Sequence, residues 1–300
     1  MDKCFPRTSF GCMKGALHFE PASECKHGCR YCYAAAYSHG TSALLTSGCS
    51  DEMISIITKR RATYPANFDK ELHMSISTDC LQPDEYVQEK SLIVMQAWLE
   101  SGKRLSIVSK GVPHSLDMRW RIEGLFGKYP NLVSYQCTCA SVDRDAQKLL
   151  EPGAPSPMER ILFMREIVGA GVQRVSFRMN PLVPGINDDP EHIMATFDAL
   201  VGTGVKHVAV SHMYSSPKIF AAMESAIPGF KRGPFSKEKV GLRGGCGKFL
   251  VGPTRREATY KMAIEYGAKL GFDVSICGCD NQDIEDLRDM KCGICWGSQS

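Results

Sequence analysis

The stretch ECKHGCRYCYA, residues 24–34, spaces three cysteines as C-x3-C-x2-C and places His27, Tyr31 and Tyr33 among them. Three thiolates so close in sequence bind metal, and two chemistries compete for them. A structural zinc ion needs four closed ligands, so His27, His39 or a distant residue would have to complete the set. An iron-sulfur cluster held by Cys25, Cys29 and Cys32 would instead leave one iron without a protein ligand, open to a substrate or cofactor.

A second group of cysteines closes the chain. Cys277 and Cys279 form a C-x-C, Cys292 and Cys295 a C-x2-C, and Cys246 sits in RGGCGKF. Four of these suffice for another centre, either zinc or an auxiliary [4Fe-4S] cluster, since both accept tetrahedral sulfur. The preferred ligands are Cys246, Cys279, Cys292 and Cys295, with Cys277 interchangeable with Cys279. Cys137 and Cys139 form another C-x-C, and Cys80 ends the stretch STDC.

The elements that must position these residues are legible as alternating runs. Short apolar, β-branched runs occur at 16–20, 72–78, 104–110, 132–138, 174–180 and 205–212. Helical patterns at 84–102, 156–171 and 188–204 separate them, each ending in glycine. Alternation of this kind predicts right-handed βα units and an α/β parallel sheet, open or curved into a partial barrel. Active-site groups in either architecture gather at the carboxyl ends of the strands. The cysteine loop follows the first strand, TDCLQP the second, SKG the third, CTCAS the fourth, NPLVPG the fifth and HMYSS the sixth. Placement after a strand favours a catalytic cluster over a zinc knuckle.

In this context C-x3-C-x2-C with an aromatic before its last cysteine resembles the radical S-adenosylmethionine (SAM) superfamily. The stretches GCRYCYA, STDCLQPDE, SIVSKG, EPGAPSPMERI and NPLVPGIND resemble its spore photoproduct lyase-like group, over roughly residues 14–215. The resemblance implies a partial (β/α)6 TIM-like barrel over 1–215; beyond it the alternation breaks, and 216–300 reads as an appended cysteine-rich C-terminal subdomain. The resemblance also implies a [4Fe-4S] cluster whose open iron is chelated by SAM, and reductive cleavage of SAM to a 5′-deoxyadenosyl radical that abstracts a substrate hydrogen. Carried onto this sequence, it sets Tyr31 against the adenine and Thr78 and Asp79 near the methionyl amino group. Ser109 and Lys110 would hold the carboxylate, with Arg178 and Asn180 near the ribose or carboxylate. Cys80, or else Cys139 with Cys137, would return a hydrogen atom to a product radical.

Composition bounds the rest. The chain of 300 residues is 43% hydrophobic and 23% charged, which suits a globular core. No apolar leader or run of eighteen apolar residues is present, so the expected compartment is the cytoplasm and no membrane is involved. Fourteen cysteines in such a chain point to metal or catalysis rather than disulfides. The formal charge is +3, but residues 218–248 hold seven Lys or Arg against Glu224 and Glu238. That basic stretch and the lyase-like motifs lead to a modified, thymine-like base in DNA or another nucleic acid as substrate, repaired, isomerised or modified. A flavodoxin or ferredoxin would supply the electron. Two other readings are a peptide-modifying radical SAM enzyme and a zinc-stabilised nucleic-acid-binding protein without catalysis.

Overall fold

The computed structural model describes residues 17–22, 24–36, 71–238, 248–276, 281 and 283–287. Seven strands form one sheet in the order β1 (Leu17–Phe19), β2 (Leu72–Met74), β3 (Leu105–Ser109), β4 (Val133–Thr138), β5 (Arg174–Leu182), β6 (His207–His212), β9 (Asp273–Ile276). The pairs β1–β2, β2–β3, β3–β4, β5–β6 and β6–β9 are parallel. A hairpin of β7 (Phe235–Glu238) and β8 (Lys248–Val251) lies outside this sheet. The α/β class and the six expected strands are therefore present, and β9 (Asp273–Ile276) adds a seventh.

The helices are α1 (Tyr33–Ala36), α2 (Glu85–Glu100), α3 (Leu116–Lys128), α4 (Arg144–Leu150), α5 (Pro157–Gly169), α6 (Pro190–Leu200), α7 (Pro217–Ala226) and α8 (Pro253–Lys269). Their starts are written locally. The side chains of Asp84, Ser115, Asp143, Asp189 and Ser216 cap α2, α3, α4, α6 and α7 by accepting a backbone N–H three residues on. Proline opens α6, α7 and α8, where its missing N–H costs nothing.

Strand β2 is shorter than the apolar run that announces it. It stops at Met74 because Ser75 takes φ 67, and the N–H groups of Ser77 and Thr78 then turn to the Glu20 carboxylate, at 2.8 and 2.9 Å. The residues fall into two compact units. One carries β1 to β3, β4 as far as Cys137, and Leu162–Val175. Its core is built on Trp98, Leu105, Ile107, Phe126, Tyr135 and Phe163, all 0–1% exposed. The other carries residues 28–36, Thr138–Ile161 and the described residues from Ser176 onward. Its core cluster joins Ala140, Leu150, Val183, Met213, Phe220 and Met223, with Tyr31 and Tyr33 packed against it.

Candidate functional site

Cys25, Cys29 and Cys32 lie at partly exposed positions, whereas Cys80, Cys137 and Cys139 are buried. This donor set suits a cluster: three partly exposed cysteines of one loop, apart from the cysteines that pack the core. Among the described residues, no three His, Cys, Asp or Glu side chains form a group that could hold a single metal ion. Cys246, Cys277, Cys279, Cys292, Cys295 and His39 lie outside the described residues.

The first unit anchors the start of the loop through the connection that follows β2. Lys26 N–H donates to Gln82 Oε1 at 2.7 Å, and Gln82 Nε2 donates to the Glu24 carbonyl at 3.1 Å, which brackets Cys25. His27 Nε2 lies 3.0 Å from Asp79 Oδ2, so the nitrogen that could have met zinc already faces a carboxylate. Asp79 is fully enclosed. Its Oδ1 accepts from Leu81 N–H at 2.9 Å and Ser109 Oγ at 2.7 Å, and its Oδ2 from Lys110 N–H at 2.7 Å and Gly111 N–H at 3.3 Å. Burial pushes this carboxyl up, but His27 and the donors around it win and hold it at about 2. In this structure Asp79 and Ser109 therefore hold the ends of β2 and β3 together and tether His27.

Thr78 Oγ1 donates to Glu20 Oε2 at 2.8 Å. Glu20 is 3% exposed, and burial raises its pKa against those hydrogen bonds. Cys80 is wholly buried, its N–H bonded to Ser75 Oγ at 2.6 Å. Burial first, then the Asp79 charge, push its thiol pKa up, so it remains S–H.

The second unit anchors the rest of the loop through the connection between α4 and α5. Arg30 N–H donates to the Leu150 carbonyl at 2.9 Å, and a turn bonds Cys32 N–H to the Cys29 carbonyl at 3.1 Å. Between those cysteines, Tyr31 OH donates a short hydrogen bond to Glu151 Oε1. Glu151 Oε2 pairs with Arg160 Nη1 at 2.6 Å, both side chains buried, and the same nitrogen donates to the Thr138 carbonyl at 3.0 Å. Burial and the Glu151 charge raise the Tyr31 phenol well above its ordinary pKa, which keeps its proton in place for that bond.

Cys139 is buried; its N–H bonds the Arg178 carbonyl at 3.0 Å and its thiol donates to the Ser141 carbonyl at 2.9 Å. Thr138 Oγ1 reaches the carbonyls of Arg178 and Asn180 at 3.5 and 3.4 Å, which ties β4 to β5 at the positions expected to serve the cofactor. Beyond β5, Asn187 bonds the Ala140 and Pro181 carbonyls, and Asp188 takes a bidentate pair from Arg255 at 2.7 and 2.8 Å. Sequence reasoning did not single out Glu20, Gln82, Glu151 or Arg160. The last three stand inside the motif stretches that carried the family resemblance, where their role as clamps was the missing element.

The geometry has solved counterparts. A mutant of spore photoproduct lyase, with bound AdoMet and dinucleoside spore photoproduct, matches with a TM-score of 0.69 over 90% of this chain and 78% of its own, at 14% identity. The chain has the spore photoproduct lyase fold. Another mutant of that lyase matches at TM-score 0.65 and 15% identity, over 91% and 79% of the two chains. SuiB of Streptococcus suis bound to S-adenosylmethionine matches at 0.54 and 10% identity, over 87% of this chain and 51% of its own. No protein-family model and no curated protein sequence matches the chain. Among the described residues no helix is long and apolar enough to cross a membrane.

Proposed function

We propose that this chain is a radical SAM enzyme that acts on a modified, thymine-like base in nucleic acid. One observation carries the reading: a loop of three partly exposed cysteines follows β1 in a fold matched by a lyase with bound AdoMet and dinucleoside spore photoproduct. When bound, the [4Fe-4S] cluster and SAM supply one electron and a 5′-deoxyadenosyl radical.

The chain's own residues do the rest. Cys25, Cys29 and Cys32 hold the cluster, and Gln82, His27 with Asp79, and Glu151 with Tyr31 fix the loop that carries them. Thr78, Lys110, Arg178 and Asn180 meet SAM, and Tyr31 lies by its adenine, while Asp79 and Ser109 act through the strand ends they join. Cys80 keeps its hydrogen and returns it to the product radical; Cys139 is the second candidate. Cys246, Cys292 and Cys295, with Cys279 or else Cys277 as the fourth ligand, hold an auxiliary cluster, and a flavodoxin or ferredoxin is the reductant. The basic stretch supports a nucleic-acid partner in part only, since Arg232 Nε is already bonded to Glu224 at 2.6 Å. A peptide substrate is the second reading, supported by the cysteines at the end of the sequence, which suit an auxiliary cluster.

The test is anaerobic reconstitution with iron and sulfide. About four irons per chain, or about eight with the auxiliary cluster, and 5′-deoxyadenosine on reduction are expected, followed by loss of dinucleoside spore photoproduct. Zinc alone, with no visible absorbance, would sink the radical reading. Radical cleavage of SAM without any effect on the dinucleoside would sink the nucleobase.

A further inference from the structure

Strands of a parallel sheet are buried on both faces and run apolar for that reason. One row across β1 to β4 departs from this rule. The register sets His18 beside His73, His73 beside Ser106, and Ser106 beside Ser134. Residues in register with the same parity share a face, so four polar side chains stand in line across four strands. The other face carries Leu72, Met74, Leu105, Ile107, Val133 and Tyr135, all 0–1% exposed, with Tyr135 edge-on to Phe163 of α5 at 5.7 Å. The polar row is thus turned away from α5.

Three of the four are buried: His73, Ser106 and Ser134 are 6%, 2% and 4% exposed, and His18 is half-buried. The Ser106 hydroxyl has no hydrogen-bond partner among the described residues. An unpartnered buried hydroxyl costs stability, and alanine or valine would avoid that cost, so the sequence retains it against packing. Burial, and after it His18, lowers the His73 pKa to about 4, so its ring stays neutral and offers one donor and one acceptor. No Lys or Arg belongs to the row, and Glu71 Oε2 lies 3.7 Å from His73 Nε2. A phosphate would find no cation here; a neutral group with donors and acceptors on one edge finds matching partners.

We propose that His73 and Ser106, flanked by His18, form a floor that hydrogen-bonds the polar edge of the substrate base. The inference rests on the nucleobase reading above and names the residues that recognise the base. Beyond this row β1 and β2 end at Phe19 and Met74, after which Glu20 takes the N–H groups of Ser77 and Thr78. The floor therefore lies along the strands, before the turn that the Glu20 and Thr78 contact closes after β2.

The test uses the reconstituted holoenzyme, with the dinucleoside spore photoproduct as probe, in the wild type, Ser106→Ala and His73→Gln. Iron content should match in all three. KM for the probe should rise roughly fivefold or more in each variant, the loss of one hydrogen bond, with a smaller change in kcat. The probe should raise the thermal midpoint of the wild type and raise that of Ser106→Ala by less. Ser106→Ala removes one atom and no satisfied bond, so it keeps the test sound if His73→Gln fails to fold. Equal KM values and equal thermal shifts in wild type and Ser106→Ala would overturn the floor while leaving the nucleobase reading intact. A wild type that cleaves SAM yet gives neither turnover nor a thermal shift with the probe overturns the nucleobase reading itself.

Discussion

Asp79 Oδ1 accepts the Ser109 hydroxyl at 2.7 Å, so a residue five positions beyond β2 and the last residue of β3 share one buried anchor. The same carboxylate accepts Leu81, Lys110 and Gly111 N–H groups and faces His27. Asp79→Asn would turn an amide N–H toward these donors, and breaking such a buried charged network costs about 3 kcal/mol. For a chain of this size that lowers the thermal midpoint by about 5 °C. The carboxyl is held at about 2 against a usual 3.8, so its contribution is complete above pH 4 and is lost as pH falls toward 2. Thermal melts of the variant and the parent at pH 7 check the first effect; a variant as stable as the parent refutes it.

The Glu151 carboxylate joins Tyr31 and Arg160 inside the second unit. Tyr31→Phe removes one hydrogen bond to a charged group and should cost about 2 kcal/mol. Glu151→Gln strands the buried Arg160 and should cost about 4 kcal/mol. The double variant Glu151→Leu with Arg160→Met should recover most of that loss, because the desolvation of both charges disappears together. A double-mutant cycle on thermal stability measures the coupling, and additive losses would show that the pair acts as two independent groups.

These clamps explain which parts of the molecule could be read from residue order. The strands at 105–109, 133–138 and 207–212 and the helices after them follow from apolar period and capping, which are local signals. The end of β2 at Met74 was not legible, because it depends on Glu20 capturing two N–H groups from 57 and 58 residues away. Asp79 was expected to face the cofactor, and its role as a tether was not legible, since its partners Ser109 and His27 lie 30 and 52 positions off. Glu151 and Arg160 stood in a recognised motif, yet only their meeting with Tyr31, 120 positions away, gives them a role.

His73 sets an acid limit on stability. Its pKa is about 4 in the folded chain against 6.5 in a free imidazole, because burial, and then His18, disfavour the cation. Glu71, at 3.7 Å, is beyond hydrogen-bond length and does not reverse this. The unfolded chain therefore binds a proton first, and stability, complete above pH 6.5, falls by up to about 3 kcal/mol as pH drops to 4. Denaturation midpoints between pH 7 and pH 4 should show this slope in the parent and a shallower one in His73→Leu. Parallel slopes would assign the acid loss to other groups.

Two glycines make a paired test of packing. A Cβ on Gly111 would lie 1.9 Å from the Leu81 carbonyl oxygen and 2.3 Å from its carbon, both backbone atoms that cannot swing aside. Gly111→Ala should cost at least about 3 kcal/mol, by forcing apart the connections after β2 and β3. Gly124, within α3, has nothing within 4 Å of the same position. Gly124→Ala should stabilise by about 0.5 to 1 kcal/mol through helix propensity. Thermal midpoints moving in opposite directions bear out the contrast.

The described cysteines should divide sharply in reactivity, and the division bears on the hydrogen donor. Alkylation requires a thiolate that reagent can reach. Cys25, Cys29 and Cys32 are partly exposed, whereas Cys80 and Cys139 are fully enclosed. Burial and Asp79 also keep the Cys80 thiol protonated. Iodoacetamide at pH 8, applied to cluster-free folded protein, should label the three loop cysteines well before Cys80 or Cys139, as read by peptide mass spectrometry. Early labelling of Cys80 would show that its pocket opens in solution. A thiol that resists alkylation yet carries its hydrogen suits atom transfer to a product radical, which needs S–H rather than the thiolate. On that reading Cys80→Ala should lower product yield and abolish solvent-deuterium incorporation while leaving SAM cleavage in place; unchanged deuterium incorporation would exclude Cys80 and pass the role to Cys139.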